Sequence, residues 1–269
     1  MAKLRQSIGC PREVEMMGAA ASSSKFKESA AMTDRNAKDA SPRTGLYVQY
    51  GCGVCAPEAW VNFDASPRLR LERLPVLGGI VRATVGKLFP VTVRFGDIVK
   101  GLPLRDSSAA AIYCSHVLEH LARDEITIAL RNTLRILVPG GIFRLVVPDL
   151  HWRVCRYLAA AEANDPRAAD ELIDGCYLGV RRGPKAFIDI AKGIWGRSRH
   201  LWMYDFASLK LLLEDAGFVA IRRCDHGDSA DPMFAMVEDE SRFVDNSRRE
   251  LAIEARRPPP PRNKTAISP

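Results

Sequence analysis

The chain has 269 residues, 47% of them apolar, which is enough to bury one large α/β core. No stretch approaches the ~18 apolar residues of a membrane span, the N-terminus lacks an apolar signal core, and seven scattered cysteines make no disulfide framework, so a cytoplasmic protein with reduced thiols is expected. Of 39 basic and 32 acidic side chains, residues 1–44 hold 8 and 5 and residues 256–269 hold 4 and none, leaving 27 of each between; the net +7 sits in the ends, and nucleic acid is disfavoured as a partner.

Residues 1–43, rich in Ala, Ser, Lys and Asp, are expected to form a disordered tail, with Met32 a second candidate start. Leu46–Tyr50 reads as a first strand ending in the turn Gly51-Cys52-Gly53. Glycines at a strand end let backbone approach a ligand closely. A second short strand, 60–64, ends in Asp64, whose carboxylate can accept from two vicinal ribose hydroxyls, the arrangement by which an open α/β sheet holds a nucleoside. Gly51 to Ala56 formally fits the dinucleotide fingerprint GxGxxG/A. However, Asp64 follows Gly53 by only 11 residues and Pro57 intervenes, so the intervening helix must be very short or absent. A pyrophosphate needs that helix, so a cofactor without one fits better.

Further strands are expected at 91–95, 110–114, 142–147, 218–223 and 250–255. Ile126, Leu130, Leu134 and Leu137 set a helix over 124–137 capped by Asp124, with Pro139-Gly140-Gly141 turning the chain into the next strand. A second helix, 206–216, has Asp205 as cap and Gly217 as stop. The alternation predicts an α/β fold, a Rossmann-like seven-stranded, mostly parallel sheet between helices, its last strand antiparallel. Residues 151–204 fit no sheet strand and read as a helical insertion over the substrate end. Within it Arg181, Arg182, Lys185, Lys192, Arg197 and Arg199 form a basic patch, read either as phosphate-facing or as a solvated face. Residues 258–269, with four consecutive prolines, are expected to be a disordered tail, which leaves 44–257 as the domain.

Two motifs admit other chemistry. His116-Val117-Leu118-Glu119-His120 matches the HxxEH zinc-peptidase pattern, but no third ligand can be nominated and no metal is expected. Cys52-Gly53-Val54-Cys55 is a lone CxxC, read as small residues at a turn rather than a redox site.

With Gly96-Asp97-Ile98, Tyr113 to Leu121, Arg135 to Gly141, Val146 to Leu150, His200 to Asp205 and Ala216 to Phe218 in order, residues 46 to 257 resemble class I S-adenosylmethionine-dependent methyltransferases, in particular bacterial type 11-like members. The resemblance implies S-adenosylmethionine as cofactor. Gly51, Cys52 and Gly53 would pass under its methionine part, Asp64 would hold the ribose, and Asp97 and Ile98 would flank the adenine. Ser115 and His116 would border the sulfonium. Gln49 in the first strand, the crowded Cys52 and Cys55, and the long crossover 68–90 depart from the common pattern. A base is needed only for a protonated acceptor; His116 is the first candidate, His200 the second and Asp149 a third, with Asp205 able to orient a histidine. Trp195 and Trp202 are candidates for stacking on a sugar. The expected acceptor is a small molecule or saccharide. Alternatives are a non-catalytic cofactor-binding protein, an HxxEH zinc hydrolase and a nicotinamide-dependent oxidoreductase.

Overall fold

The computed structural model describes residues 45–75, 78–79, 87–179, 199–245 and 248–260. Both expected tails lie outside them except for 258–260, as do Trp195 and the basic patch except for Arg199. The elements are β1 (Leu46–Tyr50), β2 (Val61–Asp64), α1 (Pro67–Glu72), β3 (Arg94–Phe95), β4 (Ala109–Ser115), α2 (Arg123–Ile136), β5 (Leu137–Pro148), α3 (Leu150–Glu162), α4 (Ala168–Gly175), α5 (Phe206–Ala216), β6 (Val219–Cys224), β7 (Val244–Asp245) and β8 (Arg248–Arg256). Seven strands form the main sheet in the order β3-β2-β1-β4-β5-β8-β6, and β7 pairs only with β8. β3, β2, β1, β4 and β5 run parallel, and β8 lies antiparallel between β5 and β6.

The central strands read as nearly continuous apolar runs because both of their faces are covered. Val48, Tyr50, Ile112, Cys114, Phe143, Leu145 and Ile253 face one core with Ile126, Leu130 and Leu209 of α2 and α5. Tyr47, Trp60, Tyr113, Val146 and Phe234 form a second, smaller core on the opposite face.

Three local expectations change. The third strand pairs only at Phe63–Arg94 and Asp64–Phe95, because Pro90 starts a turn in which Val93 N–H donates to its carbonyl. α2 is capped from Ala122, whose N–H donates to Glu125 Oε2, and Asp124 sits inside the first turn. Pro139-Gly140-Gly141 does not reverse the chain. Leu137 is already extended, and β5 runs through the motif as an irregular stretch with Gly140 at φ +76 and its register against β4 shifted. Gly140 N–H donates to Arg257 O, so neighbouring strand residues, rather than a loop, shape it. By contrast α5 starts at Asp205, which accepts from Ser208 N–H, and stops at Gly217 at φ +99. α3 and α4 fill the first part of the span expected to be a helical insertion.

Among the described residues no helix is long and apolar enough to cross a membrane.

Candidate functional site

The sheet brings the ends of β1, β2, β3 and β4 side by side, and the residues singled out around those ends follow the strands out of the sheet. No helix separates β1 from β2. In its place two amide side chains on paired positions hold the loop. Gln49 and Asn62 face each other in the β1–β2 register. Gln49 Nε2 donates to Cys55 O at 2.7 Å, and Asn62 Nδ2 donates to Pro57 O at 2.9 Å and Trp60 O at 2.8 Å. Loop carbonyls need partners, and these buried amides supply them where a helix would have used its own N–H groups. The polar residue in β1 is therefore structural. Gln49→Leu is expected to remove the donor to Cys55 O, lower stability by about 0.5–1.5 kcal/mol and raise loop hydrogen exchange; unchanged exchange at residues 53–56 would sink this account.

Gly51 and Gly53 both have positive φ, +66 and +54. A Cβ on Gly51 would stand 2.2 Å from Val117 Cγ2, whereas one on Gly53 would meet nothing within 4 Å. Gly51 is thus needed by the fold, and Gly53 leaves open space above the turn. Gly53→Ala is expected to cost about 1–2 kcal/mol for the backbone alone, and any larger loss should appear in cofactor affinity. Calorimetry beside thermal unfolding separates the two; a melting-temperature loss as large as that of Gly51→Ala would contradict it.

Asp64 ends β2 with Oδ2 accepting from Gly53 N–H at 2.9 Å and Oδ1 from Ser66 N–H at 2.7 Å. The acid and the glycine turn are thereby one unit. Cys52 points away beneath them, packed with Leu69 and Val93. Burial, with the charge of Asp64 and of Cys55 added, pushes its thiol up to about 12, and burial likewise raises Cys55. Neither is a thiolate near neutrality, which removes the redox reading of the CxxC. Asp97 accepts from Val99 N–H at 3.0 Å, while Ile98 is buried in the main core and accepts from Asn132 at 2.8 Å through its carbonyl. Ser115 Oγ is buried at the end of β4, within reach of the Tyr113 hydroxyl. A turn with open space above it, beside a buried hydroxyl at the end of β4, fits a polar ligand there.

His116 follows with φ +54, a conformation that a residue bearing Cβ adopts only under constraint. The constraint is visible. Nδ1 lies 3.1 Å from Glu119 Oε1 and Nε2 lies 3.1 Å from Arg242 O. A carbonyl only accepts, so Nε2 carries a proton, and the carboxylate favours one on Nδ1 as well. Burial alone would lower this pKa; the Glu119 hydrogen bond and charge, the Arg242 carbonyl and Glu250 outweigh it, and the pKa is raised. Both ring nitrogens face oxygen acceptors, so His116 ties the turn after β4 to Glu119 and Arg242.

His200 is buried, and its Nδ1 has no partner. Burial, together with the positive surroundings of His120, Arg153 and His116 and against the pull of Glu119, pushes it down to about 4, so it is neutral at pH 7. Its ring lies 5.2 Å from that of His120 and 5.0 Å from that of Tyr177. His116 and His200 both line a cavity of about 470 Å³, together with Glu119, His120, Arg242 and Glu250. Its wall is rigid: Arg153 of α3 pairs with Glu250 of β8 at 2.8 Å, both nearly inaccessible. Asp149 and Asp205 serve as helix caps, Asp149 accepting from His151 and Trp152 N–H. Trp202 is half exposed near Arg123.

The HxxEH reading changes shape. Leu118–His120 is a short 3₁₀ turn rather than a helix start, so His116 and His120 do not share a helix face. Sequence reasoning had no means of linking His120 to His200 across 80 residues. His120 follows an expected strand, whereas His200 lies in the expected helical insertion, and no local signal joins them.

Residues 46–145 match the family model described as a methyltransferase domain. No curated protein matches. Among solved structures, a SAM-dependent methyltransferase from Methanosarcina mazei is 15% identical, covers 81% of this chain and 94% of its own, and has a TM-score of 0.46. One from Archaeoglobus fulgidus is 15% identical over 86% and 94%, with a TM-score of 0.43. One from Thermotoga maritima is 16% identical over 83% and 86%, with a TM-score of 0.42. The matched segment runs from the first strand into the fifth, across the glycine turn, Asp64 and the HxxEH turn, so the likeness to a methyltransferase domain covers 100 of the 269 residues.

Proposed function

We propose that the chain transfers a methyl group from S-adenosylmethionine to a small-molecule or saccharide acceptor. The observation that carries this is the unit formed by Gly53 and Asp64 at the carboxyl edge, two strands from the His116 cavity. When bound, the cofactor supplies an electrophilic methyl group on a sulfonium. The chain's own residues then bind and align. Asp64 takes the ribose hydroxyls, Asp97 and the Ile98 backbone border the adenine, and the turn Gly51-Cys52-Gly53 with Ser115 lies beneath the methionine part. Methyl transfer needs the nucleophile about 3 Å behind the methyl in a dry pocket. The cavity gives the acceptor a place to sit, and its imidazoles, carboxylates and Arg242 favour a polar acceptor with several hydrogen-bonding groups. His116 clamps the loop that carries Glu119, and His200 lines the cavity wall beside it.

Calorimetric titration of S-adenosylhomocysteine, S-adenosylmethionine and NAD tests the reading. Binding of the first two without NAD supports it, and a screen of acceptors for S-adenosylhomocysteine release follows. NAD binding alone would replace it by an oxidoreductase, which the missing helix between β1 and β2 argues against. Cofactor binding with no turnover on any acceptor would favour a non-catalytic binding protein.

A further inference from the structure

The cavity holds a group of side chains that cofactor binding does not use. Ligand-capable atoms of Glu119, His120 and His200, one from each, lie within 4.8 Å of one another. Glu119 is fully buried, and its Oε2 has no partner. His200 Nδ1 is also buried without one. Two buried polar atoms without partners, on residues that one cluster brings together, are costly unless something satisfies them.

The three residues are held together from behind. Glu119 O accepts from Leu201 N–H at 2.7 Å and Trp202 N–H at 3.2 Å. His120 Nδ1 and Arg199 O lie 3.0 Å apart; the carbonyl makes Nδ1 the protonated nitrogen, which puts the lone pair of the neutral ring on Nε2. Residues 199–202 are therefore stapled to 119–120 by three contacts on either side of His200. In turn His116 holds Glu119 Oε1, so the carboxylate is oriented with Oε2 left over. A hydrogen-bonded support behind each ligand is the usual arrangement around a bound metal.

We propose that Glu119, His120 and His200 bind one divalent transition-metal ion of the zinc class, with its open coordination positions facing the 470 Å³ cavity. Two imidazoles and one carboxylate suit such an ion better than magnesium or calcium, which prefer all-oxygen sets. Ligands at ~2.0–2.2 Å from a tetrahedral ion lie roughly 3.3 Å from one another, so the side chains close by a rotamer adjustment from their present spacing. Three protein ligands leave a position for an acceptor hydroxyl. There the ion would fix the oxygen and lower its pKa; the O–H bond gives its proton to solvent, an oxygen lone pair forms the O–C bond, and the C–S bond breaks with its pair going to sulfur, which releases S-adenosylhomocysteine. This role in transfer rests on the methyltransferase reading; the site itself does not. It replaces the sequence expectation of no metal, and it uses His120 and His200 rather than His116 and His120.

The full-length protein, stripped with a chelator and dialysed, is titrated with Zn²⁺ by calorimetry and with Co²⁺ by visible absorption. The variants are Glu119→Gln, His200→Ala and, as a remote control, His226→Ala, each also checked for S-adenosylhomocysteine binding and thermal unfolding. The expected result is one equivalent bound by the wild type with low-coordinate Co²⁺ bands. Affinity should fall by at least about tenfold in Glu119→Gln and His200→Ala, and be unchanged in His226→Ala. No stoichiometric binding by the wild type, or equal binding in all variants, overturns the site. Metal binding is read on the wild type even if a variant fails to fold. Metal binding without S-adenosylhomocysteine binding would leave the site standing and remove the methyltransferase reading; the reverse would remove only the site.

Discussion

Asp64→Ala is expected to weaken S-adenosylhomocysteine binding by about a hundredfold. A carboxylate that accepts from two vicinal hydroxyls makes two charge-assisted hydrogen bonds, each worth about 1.5–3 kcal/mol, and about 3 kcal/mol in total is two decades of affinity. The variant also releases Gly53 and Ser66 N–H, which Asp64 holds at 2.9 and 2.7 Å, so part of the loss would reflect a looser turn. Asp64→Asn separates the contributions. It keeps one oxygen acceptor at similar volume and removes the charge, so its loss should be intermediate, near tenfold. Calorimetry on all three proteins, with hydrogen exchange at residues 51–56, makes the comparison. Wild-type affinity in both variants would show that the acid serves the loop alone and that the ribose lies elsewhere.

The largest stability effect is expected at Arg144. It is 1% exposed in the middle of β5, and its guanidinium pairs with Glu238 at 2.7 Å, Glu254 at 2.9 Å and Asp228 at 2.9 Å, with Phe234 beneath it. Arg144 and Glu254 are direct cross-strand partners. Arg144→Met retains the volume and removes the cation. Arg222 remains beside Asp228 and Glu254, but Glu238 is left buried with its cation gone and the Gly227 N–H donating to it. Breaking a buried network by deleting one side costs about 3–5 kcal/mol, measurable by urea unfolding near pH 7. The pH dependence has a defined sign. Burial raises the Asp228 carboxyl, but hydrogen bonds from Arg222, Arg144 and Asp225 outweigh it, and its pKa is lowered. A lowered carboxylate contributes stability above its unfolded value of about 3.9 and loses it as pH falls through the folded value. The difference between wild type and Arg144→Met should therefore narrow below about pH 4. A cost under about 1 kcal/mol at pH 7, or a gap that widens in acid, would contradict the network's role.

The strands and the two long helices were legible because their periodicity is local: alternating or continuous apolar runs against Gly and Pro punctuation place β1, β2, β4, β5, β6 and β8 within a few residues. Where local signals competed, the outcome turned on pairing. Pro139-Gly140-Gly141 carries every mark of a turn, yet β4 pairs on either side of it, at Leu137 and Ile142, and Arg257 exchanges hydrogen bonds with Gly140 and Gly141, so the strand runs through it. Asp124 has the side chain of a cap, but Glu125 reaches back to Ala122 and the helix begins one residue earlier.

The short interval between Gly53 and Asp64 already excluded a full helix between β1 and β2, and the chain alone determined the glycine turn and the acid after it. These are consequences of spacing along one stretch of backbone. What replaces the helix, the paired amides of Gln49 and Asn62, depends on strands lying side by side in one register. The meeting of His200 with Glu119 and His120, and of Arg144 with acids 84 to 110 residues away, was decided only by the tertiary structure. Contacts of that separation are set by how the sheet closes and where loops cross its edge, and neither is written in the periodicity of any single segment.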